Sequence, residues 1–173
     1  RSHGTDGKQC TLLVLDEGDE RIVAATLEIV HDAAMANGAQ VGDVELVEKW
    51  MHHRNNTSGL QEATRRGFIV DTMEVAAQWS ALEAIFTNVR ASLMAVEGAV
   101  SATCHLSHSY LDGACLYFTF AAKPTPEFEQ RYVQLWNACQ RAALGAGANV
   151  SHHHGVGLNR GRFLPESLGT GMD

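Results

Sequence analysis

From Gly67 onward the apolar positions switch between a strand period of two and a helical period of about 3.6. Phe68 to Glu74 reads as a strand. Trp79, Leu82, Ile85, Phe86, Val89, Leu93 and Val96 recur at steps of three and four, which predicts a helix over 78–97, closed at Gly98. Val100–His108 and Ala114–Ala121 read as strands. The turn Leu111-Asp112-Gly113 between them predicts a hairpin. Pro124 and Pro126 break the chain ahead of a helix over 127–144, whose stripe includes Phe128, Tyr132, Leu135, Trp136 and Cys139. Gly145 and Gly147 end it, and Asn149-Val150-Ser151 offers a short closing strand. The order is β-α-β-β-α with a possible last β. This predicts an α+β fold: an antiparallel sheet with its helices on one face, in ferredoxin-like βαββα order.

The first part of the chain is less regular. Thr11 to Leu15 gives strand character over 10–16. Asp19 is a candidate N-cap for a helix over 19–37 that stops at Asn37-Gly38. Val44–Trp50 suggests a short helix, His52 to Gly59 a polar loop, and Leu60–Arg66 another helical turn. Residues 1–9 read as a disordered or cloning-derived leader. With no linker-like stretch after them, 10–173 reads as one domain.

Composition narrows the class. The chain is 45% apolar and 19% charged, with a formal charge of −7, so it lacks the basic field of a nucleic-acid binder. No apolar run approaches the ~20 residues that span a bilayer. Cys10, Cys104, Cys115 and Cys139 are scattered and read as reduced core thiols of a cytoplasmic protein.

Nine histidines stand out, seven of them in three groups. In Ser151-His152-His153-His154-Gly155-Val156-Gly157, an extended backbone would put His152 and His154 on one side and His153 on the other. His105, His108 and Tyr110 lie at a predicted strand end, where two imidazoles and a phenol can move protons. A tyrosine titrating near about 10 needs a neighbouring cation or donor to serve as a base. The plain alternatives are a polar surface turn and a packed, hydrogen-bonded tyrosine. Arg54, Arg160 and Arg162 can each hold an anion or lie on the surface. The histidines could also ligate Zn or Mn, but no HExxH pattern occurs and no carboxylate adjoins the triple-histidine run. No metal is therefore assigned. GxGxxG, Walker and GxSxG motifs are absent.

Ser107-His108-Ser109-Tyr110-Leu111-Asp112-Gly113-Ala114-Cys115-Leu116-Tyr117-Phe118, followed by the triple-histidine segment, resembles the C-terminal region of FAD-linked oxidases of the vanillyl-alcohol oxidase superfamily. Within it, the resemblance is to the alkyldihydroxyacetonephosphate (alkylglycerone-phosphate) synthases and their bacterial relatives. Phe68 to Glu74 with Trp79-Ser80, and Leu15 to Asp19, carry it further, over nearly all of 10–170.

The resemblance implies a substrate-binding cap domain, with FAD held mainly by an N-terminal FAD-binding domain of the same protein. The isolated chain is then expected to be inactive. Tyr110 would be the acid/base, with His152, His153 and His154 beside it. His153, His154 and Gly155 would border the cofactor, and Arg54, His108 and Arg160 would take the substrate. That substrate is expected to be a small molecule such as an acyl- or alkyl-glycerone phosphate of ether-lipid synthesis, which would allow a peripheral membrane location. A homodimer is compatible, and no nucleic acid is expected. In the synthases the flavin is not a net redox agent, whereas plain oxidases take a hydride from an alcohol. Gln61 stands where the synthases carry a substrate-contacting arginine, and it brings no charge. The metal-dependent 2-hydroxyacid dehydrogenases fit less well, because His153 stands where they have a glutamate. A ligand-binding α+β domain without chemistry is the other alternative.

Overall fold

The computed structural model describes residues 11–169. The leader 1–9 and Cys10 lie outside them. The chain forms two compact units, one up to Asn56 and one from Thr57 onward, a division that linker composition did not signal.

In the first unit, α1 spans Glu20–Ala36. Its N-cap is Asp19, whose side chain accepts the Arg21 N–H, so the start and stop follow the sequence reading. Thr11 to Glu17 form no strand, because no partner strand accompanies them. Helix α2, Glu45–His53, runs further than expected. His52 and His53 lie in its last turn rather than in a loop, and Arg54 caps it with its guanidinium 5.5 Å over the Trp50 ring. Neither helix has a buried residue. Leu27, Val30 and Met35 of α1 line an open groove with Leu12, Val14 and Leu46, so the apolar stripe exists without a cover inside this unit.

The second unit begins with α3, Ser58–Arg65, and then follows the expected order. Strand β1 is Ile69–Gln78. A 3-10 turn at Trp79–Ala81 leads into α4, Leu82–Met94. Strands β2, Ala99–Ser109, and β3, Gly113–Ala122, precede α5, Phe128–Gly145. The sheet order is β1-β3-β2, antiparallel throughout. Alternation sends Met73, Val75, Leu116, Phe118 and Phe120 to one face, where Ile85, Val89, Leu135 and Trp136 of α4 and α5 complete the core. Full burial of side chains of this size is worth about 1.5–3 kcal/mol each, so this face holds the unit together.

The closing strand does not form. Asn149 does its work at a single point: its Oδ1 accepts the Ala76 N–H at 2.7 Å and its own N–H donates to the Ala76 carbonyl at 3.0 Å. The chain then turns off the edge of β1. Two short helices that the sequence reading missed follow, α6 at Gly157–Gly161 and α7 at Leu164–Leu168. Both are too short to show a period. No helix among the described residues is long and apolar enough to cross a membrane.

The β2–β3 turn is closed by the Tyr110 N–H donating to the Gly113 carbonyl at 2.8 Å. A Cβ on Gly113 would lie 2.1 Å from the Ala77 carbonyl oxygen of the neighbouring strand. Backbone on both sides cannot yield cheaply. Gly113→Ala is expected to cost about 1–3 kcal/mol, the usual price of overpacking, read as a lower urea midpoint. An unchanged midpoint would mean that the strands separate freely there.

Candidate functional site

The sheet face turned away from the helices carries Thr72, Glu74 and Ala76 from β1, Cys115 and Tyr117 from β3, and His105 from β2, with Glu74 opposite Tyr117 and Tyr117 opposite His105. A carboxylate in the middle of an apolar strand is costly to cover unless donors meet it. Glu74 is nonetheless fully buried. The Ser151 hydroxyl donates to it at 2.7 Å, the His154 backbone N–H at 3.0 Å, and the His152 backbone N–H donates as well. Arg160 brings an Nη2 to 3.5 Å. The triple-histidine segment is thus laced backbone-first onto one side chain, its carbonyls and imidazoles left to point elsewhere. Burial pushes the Glu74 carboxyl up. The Ser151, His154 and His152 donors and the Arg160 charge outweigh that and hold it below the usual range. Glu74 was quoted in the sequence reading only as part of a strand. The signal that marks it is a charged residue between Met73 and Val75, both fully buried.

Arg160 is 7% exposed, lies 5.1 Å over the Trp136 ring, and gives Nη1 to the Gly155 carbonyl at 3.0 Å. Its guanidinium faces Glu74. Nearby, Asp71 accepts from the Tyr132 hydroxyl at 2.7 Å and Trp136 Nε1 at 2.9 Å, and Asn159 of α6 donates to Tyr132. Burial, then Asp71, push the Tyr132 phenol up to about 12. These contacts tie α6 to α5 and β1. Gly155, with φ of 77°, uses its carbonyl for Ser151 and Arg160.

Tyr110 stands at the end of β2, 51% exposed, with its carbonyl held by Trp79 Nε1 at 3.1 Å. Its hydroxyl lies 2.9 Å from His152 Nε2. The two groups are 42 residues apart in sequence and meet at the open end of the sheet. The segment bends rather than extends, so His153 does not oppose His152: their Nδ1 atoms are 2.9 Å apart. His108, hydrogen-bonded to Ser107 at 2.8 Å, packs its ring against both, at 5.1 and 4.8 Å between centroids. His154 turns to the edge of Tyr117 and lies 3.9 Å from Glu74. Partial burial, ahead of the pull of Glu74, keeps the His154 imidazole below its ordinary value. Arg54 belongs to the other compact unit and stacks on Trp50.

His108, Cys115, His152 and His153 each place a ligand atom within 4.8 Å of the others, a set the sequence reading did not assemble. Burial, then the Glu74 charge, push the Cys115 thiol up, which favours its protonated form. The His152 and His153 Nδ1 atoms stand 2.9 Å apart, within hydrogen-bond distance.

Beside Tyr110 lies a shallow cleft of about 200 Å³, lined by Ala76, Gln78, Asp112 and Asn149 among others. It is smaller than the about 300–1,000 Å³ usual for a ligand pocket.

A family model described as FAD linked oxidases, C-terminal domain, matches residues 2–172. An FAD-linked oxidoreductase of Escherichia coli O157:H7, YgcU, is 29% identical over 174 residues, covering 92% of this chain and 36% of its own length. Alkyldihydroxyacetonephosphate synthase of Dictyostelium discoideum is 24% identical over 154 residues, 86% of this chain and 25% of its own. A solved structure of an alkyldihydroxyacetonephosphate synthase superposes with a TM-score of 0.59 at 20% identity, over 76% of this chain, which shows a shared fold. The chain thus spans about a third or less of the length of these relatives.

Glu74→Gln would set a neutral amide among four donors. Removing one partner of a buried pair costs about 3–5 kcal/mol. Because the folded carboxyl titrates below its unfolded value, its contribution is complete above about 4.3 and fades as pH falls through the folded value. Urea midpoints of the two proteins should be furthest apart at neutral pH and converge in acid. A separation that stays constant into acid would show that the carboxylate charge is not what stabilises the segment.

Proposed function

Since the chain belongs to the C-terminal domain family of FAD-linked oxidases, we propose that it is the substrate-binding cap of a flavin-dependent enzyme, with Tyr110 as acid/base. The observation that carries this is the 2.9 Å contact between the half-exposed Tyr110 hydroxyl and His152 Nε2. A phenol needs a partner to give up its proton near neutral pH, and here one is already in hydrogen-bond reach.

The remaining residues have positioning or charge-handling roles. Trp79 and Gly113 fix the backbone of Tyr110. Glu74 and Ser151 hold the backbone that presents His152. His153, His154 and Gly155 border the flavin, and His108 orders the imidazoles from the strand side. When bound, the flavin supplies the electrophilic or hydride-accepting ring at which an alcohol carbon reacts. It is contributed mainly by an N-terminal FAD-binding domain. The substrate class is an acyl- or alkyl-glycerone phosphate or another small alcohol. Gln61 supplies no cation for the phosphate.

In the full-length flavoprotein, Tyr110→Phe is expected to lower turnover by about 10²–10⁴-fold while the flavin absorbance is retained. Unchanged turnover would remove Tyr110 from the chemistry. The 173-residue chain is expected to purify colourless. A stoichiometric yellow preparation would place the FAD site within it.

A further inference from the structure

Three parts of the chain converge on one set of donor atoms. His108 comes from β2, Cys115 from β3, and His152 and His153 from the segment anchored on Glu74. One ligand atom of each lies within 4.8 Å of the others. The register of β2 departs from the ideal to bring this about. His105 pairs with Tyr117 and Leu106 with Leu116, but Ser109 pairs with Ala114, so Ser107 and His108 together stand opposite Cys115. Strict alternation would put His108 on the sheet face of Leu106. The extra residue turns it to the face of Cys115, and re-aiming a side chain is what bulges beside functional sites do.

Each donor is also held from behind. Ser107 meets His108 Nδ1 at 2.8 Å, the kind of outer partner that orients a ligating imidazole. The His108 backbone N–H favours the Cys115 thiolate. His152 has Nε2 engaged by Tyr110, and its Nδ1 faces His153 Nδ1. Glu74 fixes the backbone on both sides of His153.

We infer that His108, Cys115, His152 and His153 bind one zinc ion. This goes beyond the acid/base reading of Tyr110 and does not rest on it. Three imidazoles and a thiol, with no carboxylate in the set, suit zinc and not magnesium or calcium. Four protein donors complete a tetrahedral shell and leave no position for substrate, so the site is of the structural kind. On binding, the Cys115 S–H bond breaks, its proton goes to solvent, and a Zn–S bond forms; no electrons are transferred. A divalent ion deprotonates a coordinating thiol outright, so the burial that favours the neutral thiol does not oppose it. The ion takes the place of the hydrogen bond between the two Nδ1 atoms. It cross-links the β2–β3 turn, which His108 and Cys115 flank, to the segment that returns over the sheet.

Metal content of the full-length flavoprotein, loaded with zinc and then desalted, tests this with no readout of activity. Stoichiometric zinc is expected. X-ray absorption at the zinc edge should show a sulfur neighbour at about 2.3 Å beside nitrogens at about 2.0–2.1 Å. Cys115→Ser and, independently, His153→Gln should each weaken zinc binding by more than the about 10–100-fold that loss of an outer partner costs. Flavin absorbance and the far-ultraviolet spectrum should stay unchanged in at least the His153 variant. Cys104→Ser should bind zinc normally, because Cys104 pairs with Phe118 and points to the other sheet face. A protein that holds no stoichiometric zinc after loading, a zinc edge without sulfur, or zinc retained in either ligand variant would overturn the site. A zinc-free protein refutes this site and leaves the Tyr110 reading standing. Unchanged turnover in Tyr110→Phe refutes that reading and leaves the zinc measurement as it is.

Discussion

A single buried carboxylate organises the histidine segment. Glu74 sits on the sheet face opposite the core, where a strand side chain ordinarily meets water. The chain folds back over it, and Ser151, the backbone of His152 and His154, and Arg160 converge on its two oxygens. Charge-assisted hydrogen bonds of this kind are about twice as strong as neutral ones, and in a covered site water does not compete for them. Without that anchor a run of three histidines followed by two glycines has no reason to adopt one conformation.

The anchoring works through backbone, and this frees the imidazoles. The N–H groups of His152 and His154 are used up by Glu74, so the side chains are free to meet Tyr110, His108 and Tyr117. Arg160 adds to the same end from below: stacked on Trp136 and bonded to Gly155, it joins the hydrophobic core to the polar face. Asp71, which faces the other way on the same strand, collects Tyr132 and Trp136. Two carboxylates on opposite faces of β1 thus fasten opposite sides of the same chain crossing.

Much of the second unit was legible in the residue pattern. The two long helices and three strands were read close to their final bounds because each has a clear period and glycine or proline stops. The fit failed where the signal was short or needed a partner. Thr11 to Leu15 has strand composition but no neighbour to pair with. Asn149 replaces a strand with two hydrogen bonds. Helices α6 and α7 are about one turn each, below the length at which periodicity speaks. For the site, the residue types pointed to Tyr110 and the three histidines. They also pointed to Arg160, which lies in α6 with its guanidinium toward Glu74; a one-turn helix carries no period to mark which way a charged residue faces.

The linear order of apolar and polar residues was enough to decide which segments are helix or strand and that they form an antiparallel sheet covered on one side. Those choices depend on local period and on burying one face. Only the three-dimensional fold decided that Glu74 is covered, that Tyr110 meets His152 across 42 residues of chain, and that His152 and His153 face each other instead of pointing apart. Such contacts arise where the chain crosses the edge of β1, and they follow from where backbone donors find an acceptor, which is a property of position in space rather than of spacing along the chain.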